Sequence, residues 1–115
     1  MKIAAVVVTF NRLDLLKKVI AGLRNQTRVP DKIIVINNSS TDGTAEWLKE
    51  NSDLHVVTQP NWGSSGGQFT GSIEAYKLGY DYIWLMDDDV VARPDCLENM
   101  LKHADANRVV APLRY

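Results

Sequence analysis

Three aspartates, Asp87, Asp88 and Asp89, follow directly on the apolar run Tyr82-Ile83-Trp84-Leu85-Met86. Charge at the end of a buried strand is unfavourable without a partner, so the cluster calls for one. In extended backbone, residues two apart point to the same side, which lets Asp87 and Asp89 converge on one ligand while Asp88 turns the other way. Hard carboxylate oxygens suit Mg²⁺ or Mn²⁺, and an ion held there can bridge to a diphosphate. The plainer reading is a solvated acidic turn in which Asp88 or Asp89 accepts from nearby N–H groups. It explains one aspartate well and three after a buried strand poorly.

Three other loops carry polar or glycine-rich chemistry. Asn37-Asn38-Ser39-Ser40-Thr41-Asp42-Gly43-Thr44 is dense in side-chain donors and acceptors and leads into a helical pattern. It can grip a nucleoside, yet the same residue types are those of turns and helix N-caps. Asn61-Trp62-Gly63-Ser64-Ser65-Gly66-Gly67, with Gly71 beyond, lets backbone approach a ligand and opens a helix with free N–H groups, an anion site. Equally, its glycines allow tight helix-to-sheet packing, and with no Gly-Lys-Ser/Thr following it is not a Walker loop. In Thr9-Phe10-Asn11-Arg12, Thr9 offers its backbone and hydroxyl. Arg12 offers a fixed positive charge for phosphates, or only a surface charge on a first helical turn. His55 and His103 have no Ser, Cys or carboxylate spaced as a catalytic set. The absence of a nucleophile-base pair argues against a hydrolase.

The elements that must position these loops alternate along the chain. Ile3 to Thr9, Lys32 to Ile36, His55 to Thr58, Tyr82 to Met86 and Arg108 to Ala111 read as strands, with room for a helix between each pair. The first helix has Leu16, Val19, Ile20 and Leu23 on one face, with Asn11 as N-cap and Asp14 completing a capping box. A second runs from about Thr41 to Asn51, capped by the Ser/Thr/Asp cluster. A third carries Phe69, Ile73 and Tyr76 at i, i+4 and i+7 as its apolar face and stops at Gly79. A fourth opens at Pro94 and packs through Leu97, Leu101 and Ala104. This order predicts an α/β fold, a mainly parallel sheet with helices on both faces. Ligands in such sheets sit outside the carboxyl ends of the strands, where all four loops fall.

The chain's 115 residues fit one domain. Thirteen Lys and Arg against fourteen Asp and Glu leave a net charge of −1, which gives no attraction for nucleic acid. The lone Cys96 cannot form an internal disulfide and fits a reducing, cytoplasmic setting. The apolar start is far short of the ~20 residues that span a bilayer and lacks a signal-peptide cleavage site.

Together, Val-Val-Val-Thr-Phe-Asn-Arg, Ile-Val-Ile-Asn-Asn-Ser-Ser-Thr-Asp-Gly-Thr, Asn-Trp-Gly-Ser-Ser-Gly-Gly and Trp-Leu-Met-Asp-Asp-Asp-Val resemble the family 2 inverting glycosyltransferases across practically the whole chain. The likeness is nearest to the rhamnosyl- and galactofuranosyl-transferase-like members that build bacterial surface polysaccharides. It implies the GT-A (Rossmann-like) nucleotide-diphospho-sugar fold, with residues 1–115 as its nucleotide-sugar-binding part. It further implies transfer of a sugar from a UDP or dTDP donor to a glycan or lipid-linked saccharide acceptor, with Mn²⁺ or Mg²⁺, in the cytoplasm or at the inner membrane face. By the resemblance, Thr9 and the Asn37-Asn38 loop hold the nucleoside, and Asp87 approaches the ribose and diphosphate. Asp89, with Asp87, ligates the metal of a DXD motif; Gly66 and Gly67 flank the donor, and Asn11, Arg12 and Asp88 complete the donor site. Many relatives have Asp where this chain has Asn37, whose amide oxygen can still accept an N–H from the base. The family's acceptor-binding half and catalytic base are expected beyond Tyr115, so sugar transfer by the isolated chain is not expected, and exposed apolar surface is expected to promote self-association. A sugar nucleotidyltransferase and a non-catalytic nucleotide-sugar-binding module stand as rivals. The first would carry a basic Gly-rich loop after strand one, which Thr9-Phe10-Asn11-Arg12 is not.

Overall fold

The computed structural model describes residues 2–87, 94–101 and 109–110. The elements are β1 (Ile3–Thr9), α1 (Leu13–Arg24), β2 (Lys32–Asn37), α2 (Thr44–Lys49), β3 (Leu54–Thr58), α3 (Gly63–Lys77), β4 (Tyr82–Asp87), α4 (Cys96–Leu101) and β5 (Val109–Val110). Their strands form one sheet in the order β3-β2-β1-β4-β5, and every described pairing is parallel. The fold class read from sequence is the one observed. For β5, Arg108 and Ala111 lie outside the described residues.

β1 is central because small and β-branched side chains let it be buried on both faces, and all seven of its residues are. Ile3, Ala5 and Val7 join Leu16, Val19, Ile20 and Leu23 of α1, Leu48 of α2, and Cys96 and Leu97 of α4 in one core layer. Ala4, Val6 and Val8 join Ile34, Ile36 and Ala75 of α3 in the other. The chain winds outward through β1, β2 and β3, then returns past β1 to β4. Right-handed crossovers therefore place α1 and α2 on one face and α3 on the opposite one.

The apolar face of α1 is the one its periodicity predicted, each buried side chain contributing about 1.5–3 kcal/mol. Its cap is not. Arg12 occupies the N-cap position and its side chain makes no capping hydrogen bond, while Asn11 takes φ +50° and turns its side chain toward another loop. α2 is also shorter than expected, running from Thr44 to Lys49 because Gly43 adopts φ +93° and holds the preceding residues out of the helix.

The largest departure is α3. Phe69 and Tyr76 are 68% and 80% exposed, Ile73 is exposed as well, and the buried residues are Gly67, Gly71 and Ala75. A Cβ on Gly67 would collide with the methyls of Val8, one of them at 2.8 Å, and a Cβ on Gly71 would collide with Val6. A stripe of near-absent side chains at i, i+4 and i+8 seats this helix directly on the β-branched surface of β1, so the bulky apolar residues face outward. α3 ends as predicted at Gly79, φ +85°: Gly79 N–H donates to Tyr76 O and Tyr80 N–H to Ala75 O, a Schellman closure. α4 begins at Cys96, two residues past Pro94, and buries Cys96 and Leu97. Leu97 N–H donates to Oε1 of the buried Gln26 at 3.1 Å, tying α4 to the segment just after α1. Ala104 lies outside the described residues.

Candidate functional site

The direction of winding reverses between β1 and β4, and the carboxyl ends of these two strands form the crevice where ligands bind in open α/β sheets. Strand register decides which residues reach it. Thr58 of β3 is level with Asn37 of β2, Asn37 with Thr9 of β1, and Asp87, the last residue of β4, with Val8. Thr9, Asn37 and Asp87 are thus aligned along one sheet edge, with Asp87 across the switch point from the other two. Thr9, Asn37 and Asn38 are buried polar residues at that edge. Asp88 and Asp89 lie outside the described residues, so the same-side argument for Asp87 and Asp89 rests on the sequence. Among the described residues there is no group of three or more His, Cys, Asp or Glu able to hold an ion.

Hydrogen bonds stitch the loops of this edge together. Asn38 N–H donates to Thr9 O and Gln59 N–H to Asn37 O, both at 3.0 Å, extending the strand ladders by one step. Asn37 Oδ1 accepts from Ser40 N–H at 2.9 Å; a carbonyl has two lone pairs, so a further donor can still be accepted. Asn11 N–H donates to Ser40 Oγ at 3.0 Å, while Asn11 Oδ1 accepts from Thr41 N–H at 2.6 Å. The Asn11 side chain therefore spans two loops, and its positive φ, tolerated by Asn, aims it there. Arg12 is exposed at the head of α1. Gly67 is seated against Val8, the packing alternative for this segment. A Cβ on Gly66 would stand 2.6 Å from Trp62 Cβ. A cleft of about 370 Å³ opens beside Asn37, between Val56 and Thr58 of β3 and Leu48 and Lys49 of α2.

Sequence offers Asp42 only as part of the cluster that caps the second helix and does not single out Gln59. Asp42 Oδ1 accepts from Thr44 Oγ at 2.5 Å and from Thr44 N–H at 3.3 Å, and Oδ2 accepts from Leu13 N–H at 3.1 Å. The carboxylate thus serves the start of α2 and the start of α1 together. Its motif position was visible, but not that one of its partners lies 29 residues away. The Thr44 hydroxyl above all, helped by the Leu13 and Thr44 amides, holds the Asp42 pKa below its ordinary 3.8, against an opposing effect of burial that outweighs either amide alone. A depressed carboxylate pKa stabilises the fold above the unfolded value, and that stabilisation is lost as pH falls through the folded one. Asp42→Asn is therefore expected to melt below the wild type at pH 7, with the gap closing below about pH 4. Melting curves over pH 2.5–7 check this, and a gap independent of pH would show that the charge contributes nothing.

Comparison with known proteins agrees with this geometry. The Glycosyl transferase family 2 model matches residues 4–115. The chain is 35% identical over 89 residues to Galactofuranosyltransferase GlfT1 of Mycolicibacterium smegmatis, covering 76% of this chain and 30% of the relative. Among solved structures it resembles S. aureus TarS 1-349 in complex with UDP, with a TM-score of 0.70, 18% identity, and coverage of 89% and 31% of the two chains. It also resembles the mannosyltransferase PcManGT from Pyrobaculum calidifontis in complex with GDP-Man and Mn²⁺, with a TM-score of 0.68, 20% identity, and coverage of 88% and 31%. The chain spans less than a third of the length of each of these proteins. A doubly wound parallel sheet, polar residues aligned at its switch point and a family match over nearly the whole sequence lead to one assignment: the chain belongs to glycosyltransferase family 2 and has the GT-A fold.

Proposed function

We propose that this chain forms the donor-binding part of an inverting glycosyltransferase that takes a sugar from a UDP or dTDP donor to a glycan or lipid-linked saccharide acceptor in cell-surface polysaccharide synthesis. The alignment of Thr9, Asn37 and Asp87 on the two sides of the β1–β4 switch point carries this reading. The ligands of the structural neighbours, UDP in one and GDP-Man with Mn²⁺ in the other, support it. Thr9, Asn37 and Asn38 hold the nucleoside, Asn37 accepting the base N–H through its second lone pair. Asn11, Arg12, Asp88 and the Gly66-Gly67 segment of α3 border the donor, and Asp87 reaches the ribose and diphosphate.

The oxygen donors at the end of β4 fit a hard divalent cation, with Asp89 and Asp87 as the residues that would hold Mn²⁺ or Mg²⁺. Such an ion supplies Lewis-acid stabilisation of charge growing on a departing diphosphate. A single cysteine and a nucleotide donor fit a cytoplasmic setting, at the inner membrane face where the acceptor is lipid-linked. No described helix is long and apolar enough to cross a membrane. Isothermal titration with UDP and dTDP, in Mn²⁺ and in chelator, tests the reading. Tighter binding with metal is expected, and binding of neither nucleotide would overturn it.

The same reading includes self-association through the outward face of α3, where Trp62, Phe69 and Tyr76 stand 62%, 68% and 80% exposed. Sedimentation velocity is expected to show a concentration-dependent rise in mass, reduced in Phe69→Lys. A monomer at every concentration would remove this part of the proposal.

A further inference from the structure

We propose that Gln59 is a positioning residue for the donor site, an inference that rests on the nucleotide-binding reading above. Gln59 follows β3 directly and is buried. Its backbone N–H donates to Asn37 O, and its backbone oxygen accepts from the Ser39 hydroxyl at 2.6 Å. Its side-chain Nε2 donates to Asn38 Oδ1 at 2.9 Å, and Asn38 Nδ2 donates in turn to Gly63 O at 3.2 Å, at the first residue of α3. Asn38 N–H meanwhile donates to Thr9 O. The side chains of Gln59 and Asn38 therefore join the end of β3, the loop after β2 and the head of α3, and the Asn38 backbone N–H adds the end of β1.

The relay has only one polarity. A backbone carbonyl can only accept, so Asn38 must turn its amide nitrogen to Gly63 and its oxygen to Gln59. Gln59 must then present its own nitrogen, which leaves Oε1 buried with no donor. Two other buried side-chain atoms among the described residues lack a partner, Tyr82 Oη and Trp84 Nε1, and both belong to β4 in the core layer beneath α1. Gln59 Oε1 alone of the three stands at the carboxyl edge. An orphaned buried carbonyl is destabilising, and a methionine would fill a similar volume without one. What the amide supplies is geometry: it fixes the spacing between Thr9, the Asn37-Asn38 loop and the first turn of α3, the three pieces that surround the donor.

Gln59→Met in the 115-residue chain separates positioning from simple stability. The substitution removes one orphan, Gln59 Oε1, and creates another, Asn38 Oδ1, so melting is expected to stay within a few degrees of the wild type. UDP affinity in Mn²⁺ should fall roughly 10- to 100-fold, by analogy with the loss when the partners that orient metal ligands are removed. Without nucleotide, amide hydrogen exchange at residues 67–70, whose N–H groups donate to the carbonyls of the first turn of α3, should quicken while exchange in α1 stays unchanged. Gln59→Leu, which removes the same amide with different packing, should reproduce both effects. Unchanged exchange at residues 67–70 with wild-type affinity would overturn the proposal, as would affinity and melting temperature falling together in both variants. Failure of the wild type to bind UDP or dTDP would instead sink the donor-site reading, and the role of Gln59 with it.

Discussion

Asp89→Asn is expected to abolish the metal-dependent part of UDP or dTDP binding, whereas Asp88→Asn should lose much less. The amide keeps the shape of the side chain but not its charge. A diphosphate and two carboxylates repel one another unless a cation stands between them, so removing one anionic ligand weakens the ion and the nucleotide together. Since loss of a residue that merely orients a metal ligand costs about 10- to 100-fold in metal affinity, loss of a ligand itself should reach at least the upper end of that range. Asp88 serves as the control because alternate residues of an extended segment face opposite sides. Calorimetric titration of the three proteins, each with Mn²⁺ and with chelator, decides the matter. Equal losses at Asp88 and Asp89 would mean that the same-side argument is wrong. Binding indifferent to both metal and Asp89 would remove the main support for a metal-assisted donor site.

The second large effect reverses ordinary expectation about helix substitutions. Gly71→Ala, usually favourable in a helix by about 0.5–1 kcal/mol, is expected to destabilise this protein. The added methyl would be driven into Val6 on the central strand, and overpacking of that kind costs about 1–3 kcal/mol. The net loss should lower the melting temperature by several degrees, at roughly 4 °C per kcal/mol for a domain of this size. Phe69→Ala on the same helix should change stability by no more than about 0.5 kcal/mol because the ring is exposed, where a buried Phe would lose about 3–5 kcal/mol. Paired thermal melts of the two variants test the orientation of α3. A stable Gly71→Ala with a crippled Phe69→Ala would place the helix the other way round.

That reversal shows what the residues disclosed and what they withheld. The strands were legible because runs such as Ala-Ala-Val-Val-Val and Ile-Ile-Val-Ile suit a sheet covered on both faces, and α1 was legible because large apolar residues recur along one side. In α3 the same rule pointed outward, since large side chains compete with small ones for the sheet and here the close approach of Gly67 and Gly71 to β1 prevailed. Their spacing, with Ala75, was present in the sequence as a stripe of small residues. The alignment of Thr9, Asn37 and Asp87 followed from the strand boundaries, which sequence placed within a residue. The ties made by Asn11, Asp42 and Gln59 did not, because each depends on how two loops some 20 to 30 residues apart are brought together. Residue types can mark such a loop as polar, but only the assembled sheet decides whether an amide caps its own helix or reaches across to a neighbour.

The place of β1 in the sheet also bears on how the protein is made. Of the described strands, the one in the middle, β1, is synthesised before the others, and its second neighbour, β4, arrives last of the four long strands. The contact that closes this pairing, Lys2 N–H to Asp81 Oδ2, spans 79 residues. At about 5–20 residues per second, that interval lasts roughly 4–16 s. Throughout it, one flank of Ile3-Ala-Ala-Val-Val-Val-Thr9 has no strand to pair with, and the sequence carries no proline or charge to blunt it. The nascent chain thus displays a short, sticky β-edge during its own synthesis, the period in which a chaperone that shields extended apolar segments would most improve its yield.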